Sequence, residues 1–561
     1  MNSFLLFFVY NKVGDKMKYI KKHKEVILLV LISSLVMIWV MGDTHLLGHD
    51  TRFHLANIEN LKNSISWNNL FPTDAIVSNL SFDMGYGLYL FYPIMPHLLV
   101  AYLAKFLSFF TVDTYTSLSI FYIFIMIASV LLIYQLSKKL SKNCLVAFFS
   151  GLIFLLMPYR IGTMAVRGSL NESMISLFVP MILLSILAWK EKNWKNFYLL
   201  FIVGWIGLLW SHMTMALYTV IFVLPFLYYM KDELKDKIAL KHGILAILAV
   251  TVVVIPGIVQ TFSQSGYLVF YDGYMTRLSL LEENFLSWKD YLFMNTNYDW
   301  TVPYFIPIAL LLSLIVSFYT YLKQKKDTYL TILWIWIPVF ILMMSSFFPW
   351  EILPKSLWMI QFPWRLLGLL SIVIALLTPL MLQNKKLNKL FLLFFVVLFI
   401  QMIPFLQMLK DRPYHIDKID IDDGRGNIVE YYPEEYLEYP SFFEIDDQSI
   451  SIVDGDAVVE ILSNRTHDLK IKVKTDDIVT LELPKIYYNG YVIEDESNHK
   501  EYVGRSKHGR IEVTIKKSGT YHIYYRDLPI VTTLKIVRII ACIGIALGVI
   551  SHYKKLLYVK K

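Results

Sequence analysis

The chain has 561 residues, of which 56% are hydrophobic and only 17% charged. A soluble protein of this length divides into several domains and carries about 25% charge. That class is excluded, because the apolar residues fall in repeated runs of about 17–23, the length that crosses a hydrocarbon core. The net charge of +8 comes from short lysine clusters between the runs, a pattern that sets membrane topology and not one that binds nucleic acid.

The two cysteines, Cys144 and Cys542, both lie inside apolar runs, so no disulfide framework is indicated. Met1–Asp15 reads as a weak extension without a cleavable signal. Met17 is an alternative start, since Lys18, Lys21, Lys22 and Lys24 then precede the first span.

The first span is expected at Val26–Met41. Just beyond it stands Gly48-His49-Asp50-Thr51-Arg52-Phe53-His54. Ionisable side chains are costly inside a bilayer, so this cluster is placed where lipid chemistry meets water. The next apolar run, Leu88–Phe110, is long enough to cross. If it did, Lys138, Lys139, Lys142 and every later lysine cluster would fall on the wrong side. Pro93, Pro96, His97 and Lys105 within it also suit a helix lying in the interface, which is the reading adopted.

Further spans are expected at Thr116–Leu136, Leu145–Met157, Met174–Trp189, Phe197–Trp210, Met213–Met230 and Ile244–Val259. After an outer loop come Phe305–Leu322, Leu330–Phe347, Leu366–Leu382, Phe391–Leu406 and, last, Leu534–Ile550, about twelve in all. The basic turns then lie inside: Lys190, Lys192 and Lys195; Lys231, Lys235, Lys237 and Lys241; Lys323, Lys325 and Lys326; Lys385, Lys386 and Lys389; and the tail from Lys554. Both termini are expected in the cytoplasm.

The outer loops carry few lysines. They hold Arg52, Arg160, Arg167, Arg277 and Arg365 with Asp50, Asp74, Asp83, Glu172, Glu282 and Glu283. Arginine suits phosphate because its planar fork is permanently charged. Any one of these arginines also fits a snorkelling residue at a span end; their grouping on one face is the stronger signal.

Between the last two spans, Asp411–Pro529 alternates like half-buried strands, as in Leu481-Glu482-Leu483, Ile511–Ile515 and Tyr521–Tyr525. Turn signals interrupt it at Asp423-Gly424, Asp454-Gly455, Asn489-Gly490 and Ser518-Gly519. A β-sandwich outside the cytoplasm is expected. Asn464-Arg465-Thr466 matches a glycosylation sequon, with no modification expected. The domain reading is a membrane domain over 1–410 with its first outer loop at 43–114, the β domain over 411–530, and a final span with a basic tail over 531–561.

A span, a short acidic motif, an interfacial helix beginning near Leu90-Phe91-Tyr92-Pro93, and a span ending in a basic turn resemble the GT-C superfamily of polytopic glycosyltransferases. Gly48-His49-Asp50 through Phe53-His54, with Phe71-Pro72 and Gly85-Tyr86-Gly87, is similar to bacterial membrane proteins labelled "6-pyruvoyl-tetrahydropterin synthase-related". That label looks like a misnomer, because nothing in this chain provides the soluble pterin enzyme's zinc-binding fold. Tyr487-Tyr488-Asn489-Gly490-Tyr491 and Gly519-Thr520-Tyr521-His522 resemble the β domain of YfhO-like proteins.

The resemblance implies transfer of a sugar from a polyprenyl-phosphate donor to an envelope glycan or lipid at the outer face. Such a reaction needs a base for the acceptor hydroxyl, cations for the leaving phosphate and a groove for lipid. Asp50 is the implied base, because superfamily members carry their catalytic acid in this loop. Arg52, His54, Arg160, Arg167, Glu172, Arg277 and Arg365 are the candidate substrate-binding residues, and Tyr86 and Tyr92 are candidates to stack on a sugar.

His45, His49 and His54 have no recognised zinc spacing, though His49 and Asp50 remain possible ligands for magnesium or manganese, which some superfamily members use. Glu282 and Glu283 lie with Arg277 on a loop able to cover the donor. His212, at a tight turn, reads as structural, and Trp364 as a membrane-edge anchor. No nucleotide loop of the GxxxxGK[ST] type is present, so no nucleotide cofactor is expected. Two alternatives stay open: a flippase of lipid-linked glycans, and a non-catalytic envelope assembly protein acting through its β domain.

Overall fold

A computed structural model of the protein describes residues 23–41, 48–72, 75–77, 84–264, 266, 268, 277–293, 305–323, 327–410, 431–438, 449–465 and 468–559. His45, Asp74, Asp83, Lys325, Lys326, the Asp423-Gly424 turn and the last residue of the Asn464 sequon lie outside them.

Helix α1 (Lys24–Met41) carries charge only at its start and is followed by α2 (Thr51–Ser64), which sequence reading did not anticipate. The expected interfacial run begins late, as a short 3₁₀ turn at Leu88–Leu90 and then α3 (Met95–Ser108), because Pro93 and Pro96 are tolerated only ahead of or at the first turn of a helix. The long α4 (Thr114–Ser141) follows. Its first turn lies at the same end of the bundle as α2: Tyr115 lines a small cavity with Met41 and Thr51, and Thr114 accepts a hydrogen bond from Lys62 at 3.0 Å. The other end of the first loop also returns there, since Pro93, just ahead of α3, accepts a hydrogen bond from Asn171 at 3.2 Å.

Next come α5 (Cys144–Leu155) and α6 (Pro158–Gly162), meeting at a bend of 44°. The residue before a proline is pushed out of the helical region, and Met157 is accordingly extended. A π-helical turn over Thr163–Arg167 ends at Gly168 in the left-handed region, and α7 (Leu170–Lys190) runs back through the centre. Then follow α8 (Trp194–Leu209), α9 (Met213–Val223), α10 (Lys237–Ser263), α11 (Ile308–Leu322), α12 (Thr328–Met343), α13 (Pro363–Gln383), α14 (Asn388–Lys410) and α15 (Pro529–Val559).

The chain is a multi-helix protein of membrane type, but the expectation of about twelve spans is not met at full length. Among the described residues six helices are long and apolar enough to cross, or seven if the bent α5–α6 pair is one span. Helices α8, α9, α11 and α12 are apolar but shorter. In α9 the expected Met213–Met230 span stops at Val223, two residues before Pro225.

Charge is segregated along α7. Glu172 lies at one end; at the other, Lys190 pairs with Glu233 at 3.1 Å, Lys192 with Asp236 at 2.7 Å and Lys139 with Glu191. Three of the expected basic turns, those holding Lys139, Lys190 with Lys192, and Glu233 with Asp236, thus meet in space.

The C-terminal region forms two antiparallel sheets from β1 (Ser451–Asp454), β2 (Val458–Arg465), β3 (Asp468–Lys474), β4 (Val479–Ile486), β5 (Tyr491–Glu494), β6 (Lys500–Tyr502), β7 (Gly504–Arg505), β8 (Arg510–Ile515) and β9 (Gly519–Tyr525). Their orders are β1-β4-β8-β7 and β2-β3-β9-β5-β6. Alternation decides the core: Leu481 pairs with Val513 and Leu469 with Ile523, all inward and buried. The same core takes in Val77, Met84, Tyr86 and Leu88 from the first loop, so the sheets and that loop share one hydrophobic cluster. Polar contacts fix the seat. Gln264, after α10, donates to the Asn489 carbonyl at 2.7 Å and accepts from the Asn489 N–H at 2.8 Å.

Candidate functional site

The segment after α1 is held against the π-helical turn by its backbone. Asp50 N–H donates to the Arg167 carbonyl at 2.7 Å and His49 N–H to the Val166 carbonyl at 3.3 Å. Both glycines at this crossing are needed for closeness. A Cβ on Gly48 would lie 2.7 Å from the Gly168 nitrogen, and Gly168 has φ of +63°.

This crossing sets Asp50 beside Arg167, at 3.3 Å. Arg167 also pairs with Glu172, and Arg365 reaches the same Glu172 oxygen at 3.3 Å. Tyr159 donates its hydroxyl to the other Glu172 oxygen. Arg365 is oriented further by the Ile360 carbonyl at 2.8 Å and Gln361 Oε1 at 3.0 Å. Arg167 stacks over Trp364 at 4.8 Å. The result is an alternating chain, acid, base, acid, base, from three separate parts of the sequence.

Burial is graded along it. The Asp50 side chain is 37% exposed, Arg167 8%, Arg365 11% and Glu172 2%. Asp50 is the accessible acid, and the others form its support. A buried ion pair is costly to break, because removing one partner leaves an unpaired charge in low dielectric.

Two residues after Asp50, Arg52 is exposed on the first turn of α2. Phe53 meets Tyr92 edge-on at 5.6 Å. Burial, and then the Asp50 carboxylate, hold the Tyr92 phenol above its usual pKa, so it stays a neutral donor. His212 caps α9, its Nδ1 accepting from Met215 N–H at 3.4 Å. Burial, then Arg365, pull it down to about 3, so it is uncharged.

His54 is buried and bonded to α3 and to the start of α7. Its Nε2 accepts from Leu170 N–H at 3.2 Å, so its proton is on Nδ1, which donates to His97 Nε2 at 2.8 Å. The His97 proton must then be on Nδ1, where no partner is found among the described residues. Burial, then Arg167, pull His54 down to about 3.

The structure therefore brings Asp50, Arg167, Glu172 and Arg365 into contact, with Tyr92 alongside, and leaves Arg52 exposed. Arg160 is elsewhere: it donates to the Phe154 carbonyl at 2.8 Å and to Ser129 and lies on the Phe154 ring at 3.5 Å. Tyr86 is in the β-domain cluster, 4.8 Å from the Tyr432 ring. Arg277 precedes the short helix Leu278–Glu282 as its N-cap. Trp364 is buried beneath Arg167 and is no edge anchor. Among the described residues no group of three His, Cys, Asp or Glu is placed to hold a metal ion.

Tyr159, Gln361 and Trp364 are site residues that sequence reading missed. A signal was present in two parallel motifs, Pro158-Tyr159-Arg160 and Pro363-Trp364-Arg365. In the first the aromatic residue reaches Glu172 and the arginine turns away. In the second the arginine reaches Glu172 and the aromatic ring supports Arg167.

Among curated proteins, none matches the chain. A family model described as a family of unknown function, DUF6541, matches residues 25–384, a stretch that runs from α1 to the end of α13 and holds every residue of the Asp50 cluster. The chain belongs to this family of unknown function, DUF6541.

Proposed function

We propose that the protein is a membrane glycosyltransferase of GT-C type, moving a sugar from a polyprenyl-phosphate donor to an envelope glycan or lipid at the outer face. The observation that carries this reading is Asp50, a half-exposed carboxylate paired with Arg167, which is itself fixed by buried Glu172 and its second partner Arg365.

The chemistry follows from that grading. The Asp50 carboxylate takes the proton of an acceptor hydroxyl. The acceptor oxygen bonds to the anomeric carbon, and the bond from that carbon to the phosphate oxygen breaks, its electron pair leaving with the polyprenyl phosphate. Arg167 and Arg365 match the charge of Asp50 and Glu172, and Arg52, exposed two residues after Asp50, adds a cation for an anionic donor. Tyr92 offers a neutral hydroxyl beside Asp50.

In this reading the lysine-rich turns and both termini are cytoplasmic, the β domain is outside, the shorter apolar helices complete about twelve spans, and α3 lies in the outer interface. The test is to compare lipid-linked sugars and envelope glycans in cells that lack the protein, carry it, or carry Asp50→Asn at equal membrane abundance. Loss of a glycan restored by the native chain and not by Asp50→Asn is expected. Full restoration by Asp50→Asn overturns the assignment and favours the flippase or assembly readings.

A further inference from the structure

Arg538 belongs to no feature described so far. It lies on α15, where the apolar stretch of that helix begins with Ile536 and Val537. It is about 14 Å along the axis from Pro529. Arginine inside a span is rare and marks a functional position unless it is paired or snorkels clear. Arg538 is not paired: among the described residues nothing hydrogen-bonds to it or forms an ion pair with it. The nearby acid, Asp527, is already held by Lys535 at 2.6 Å. It is half-buried, with its guanidinium over the Trp210 ring at 5.7 Å.

Trp210 connects this position to the Asp50 cluster. It ends α8. The next residue, Ser211, accepts from Asn171 Nδ2 at 2.9 Å, and Asn171 precedes Glu172 in the chain. His212 follows, close enough to feel Arg365 and Glu172. Helix α15 itself starts from the β domain, which is seated at the same end of the bundle, and packs along α10. Arg538, an unpaired cation on α15, is thus linked to the buried acid of the site through Trp210, Ser211 and Asn171.

We propose that Arg538, backed by Trp210, binds the phosphate of a membrane lipid, and that the meeting of α15 with the α8–α9 turn is where a lipid-linked phosphate approaches the site. Arginine suits this because it presents a planar array of donors and remains charged in poorly hydrated surroundings. The link to transfer rests on the glycosyltransferase reading; the binding does not.

The full chain, purified in detergent, is mixed with undecaprenyl phosphate, with phosphatidylglycerol, or with neutral diacylglycerol, and lipid adducts are counted by native mass spectrometry. Arg538→Gln is expected to reduce retention of at least one phosphate lipid about tenfold and to leave diacylglycerol unchanged. Arg538→Lys is expected to recover part of the loss. Selective loss of undecaprenyl phosphate identifies the isoprenoid as the source, and selective loss of phosphatidylglycerol identifies a glycerolipid headgroup. Retention of both phosphate lipids by Arg538→Gln overturns the proposal, as does an equal loss of diacylglycerol. Asp50→Asn, run alongside, is expected to keep the adducts while losing transfer, so failure of one reading is distinguishable from failure of the other.

Discussion

Gly168 lies so close to Thr51 that a Cβ built on the glycine would stand 2.0 Å from the Thr51 hydroxyl oxygen. The same hydroxyl accepts from Gly48 N–H at 3.0 Å, so one side chain closes the crossing that sets Asp50 beside Arg167. Gly168→Ala combines this overlap with a left-handed backbone, at about 1–2 kcal/mol for the backbone and about 1–3 kcal/mol for the overpacking. The expected outcome is a lowered melting temperature in detergent and at least a tenfold loss of transfer. Normal melting and activity would show that the crossing does not position Asp50.

Glu172 and Asp50 are both carboxylates, but their burial predicts opposite phenotypes. Glu172→Gln leaves Arg167 and Arg365 without their shared anion in a buried site, which costs about 3–5 kcal/mol. Asp50→Asn removes a half-exposed partner, and such pairs contribute about 1 kcal/mol or less. Thermal unfolding of the two variants should separate them clearly, with Glu172→Gln the unstable one and Asp50→Asn inactive while near-native in stability.

Much of this was legible in the sequence, for reasons visible in particular residues. Helices α1, α4, α7 and α14 follow the apolar runs closely, because length and hydropathy alone select them. Strands β4, β8 and β9 contain the alternating segments chosen for them. Asp50, Arg167, Glu172 and Arg365 were singled out by charge at span ends. What could not be read was direction: Arg160 and Arg167 are seven residues apart, and only the bend at Pro158 and the π-helical turn send them to different partners. Tyr86 looked like a sugar-stacking residue because its partners, Tyr431 and Tyr432, lie more than three hundred positions away.

The His54–His97 pair makes the first loop sensitive to acid. His54 is pulled down to about 3 in the fold by burial and then Arg167, from an ordinary value of 6.5. Between these values the unfolded chain binds a proton that the native chain does not, so stability is complete above about pH 6.5 and falls as pH drops toward 3. Melting temperature is expected to be level from pH 7 to 8 and to decline below 6. His54→Gln should make that decline shallower without abolishing it, since burial also holds His97 and His212 below their ordinary value, and an unchanged slope would place the acid sensitivity elsewhere.

The β domain meets the end of α10 through Gln264 and Asn489, so a single change at this seam is informative. Gln264 satisfies both the carbonyl and the N–H of Asn489, and the Asn489 side chain donates back to the Ser263 carbonyl at 3.2 Å. Gln264→Ala removes two hydrogen bonds to the Asn489 backbone at a half-buried position, a loss of about 1–3 kcal/mol. The apolar half of the seam persists, with Gly87 against the Tyr488 ring and Tyr86 in the shared cluster, so the domain should loosen without detaching. Limited proteolysis of Gln264→Ala is expected to cut between α14 and β1 several times faster than in the native chain, while cleavage inside the sheets stays slow. Equal rates at both places would mean that the apolar seam alone holds the domain. Because that seam includes the loop between α2 and α3, loosening it is also expected to lower transfer in proportion, which ties the β domain to the geometry around Asp50.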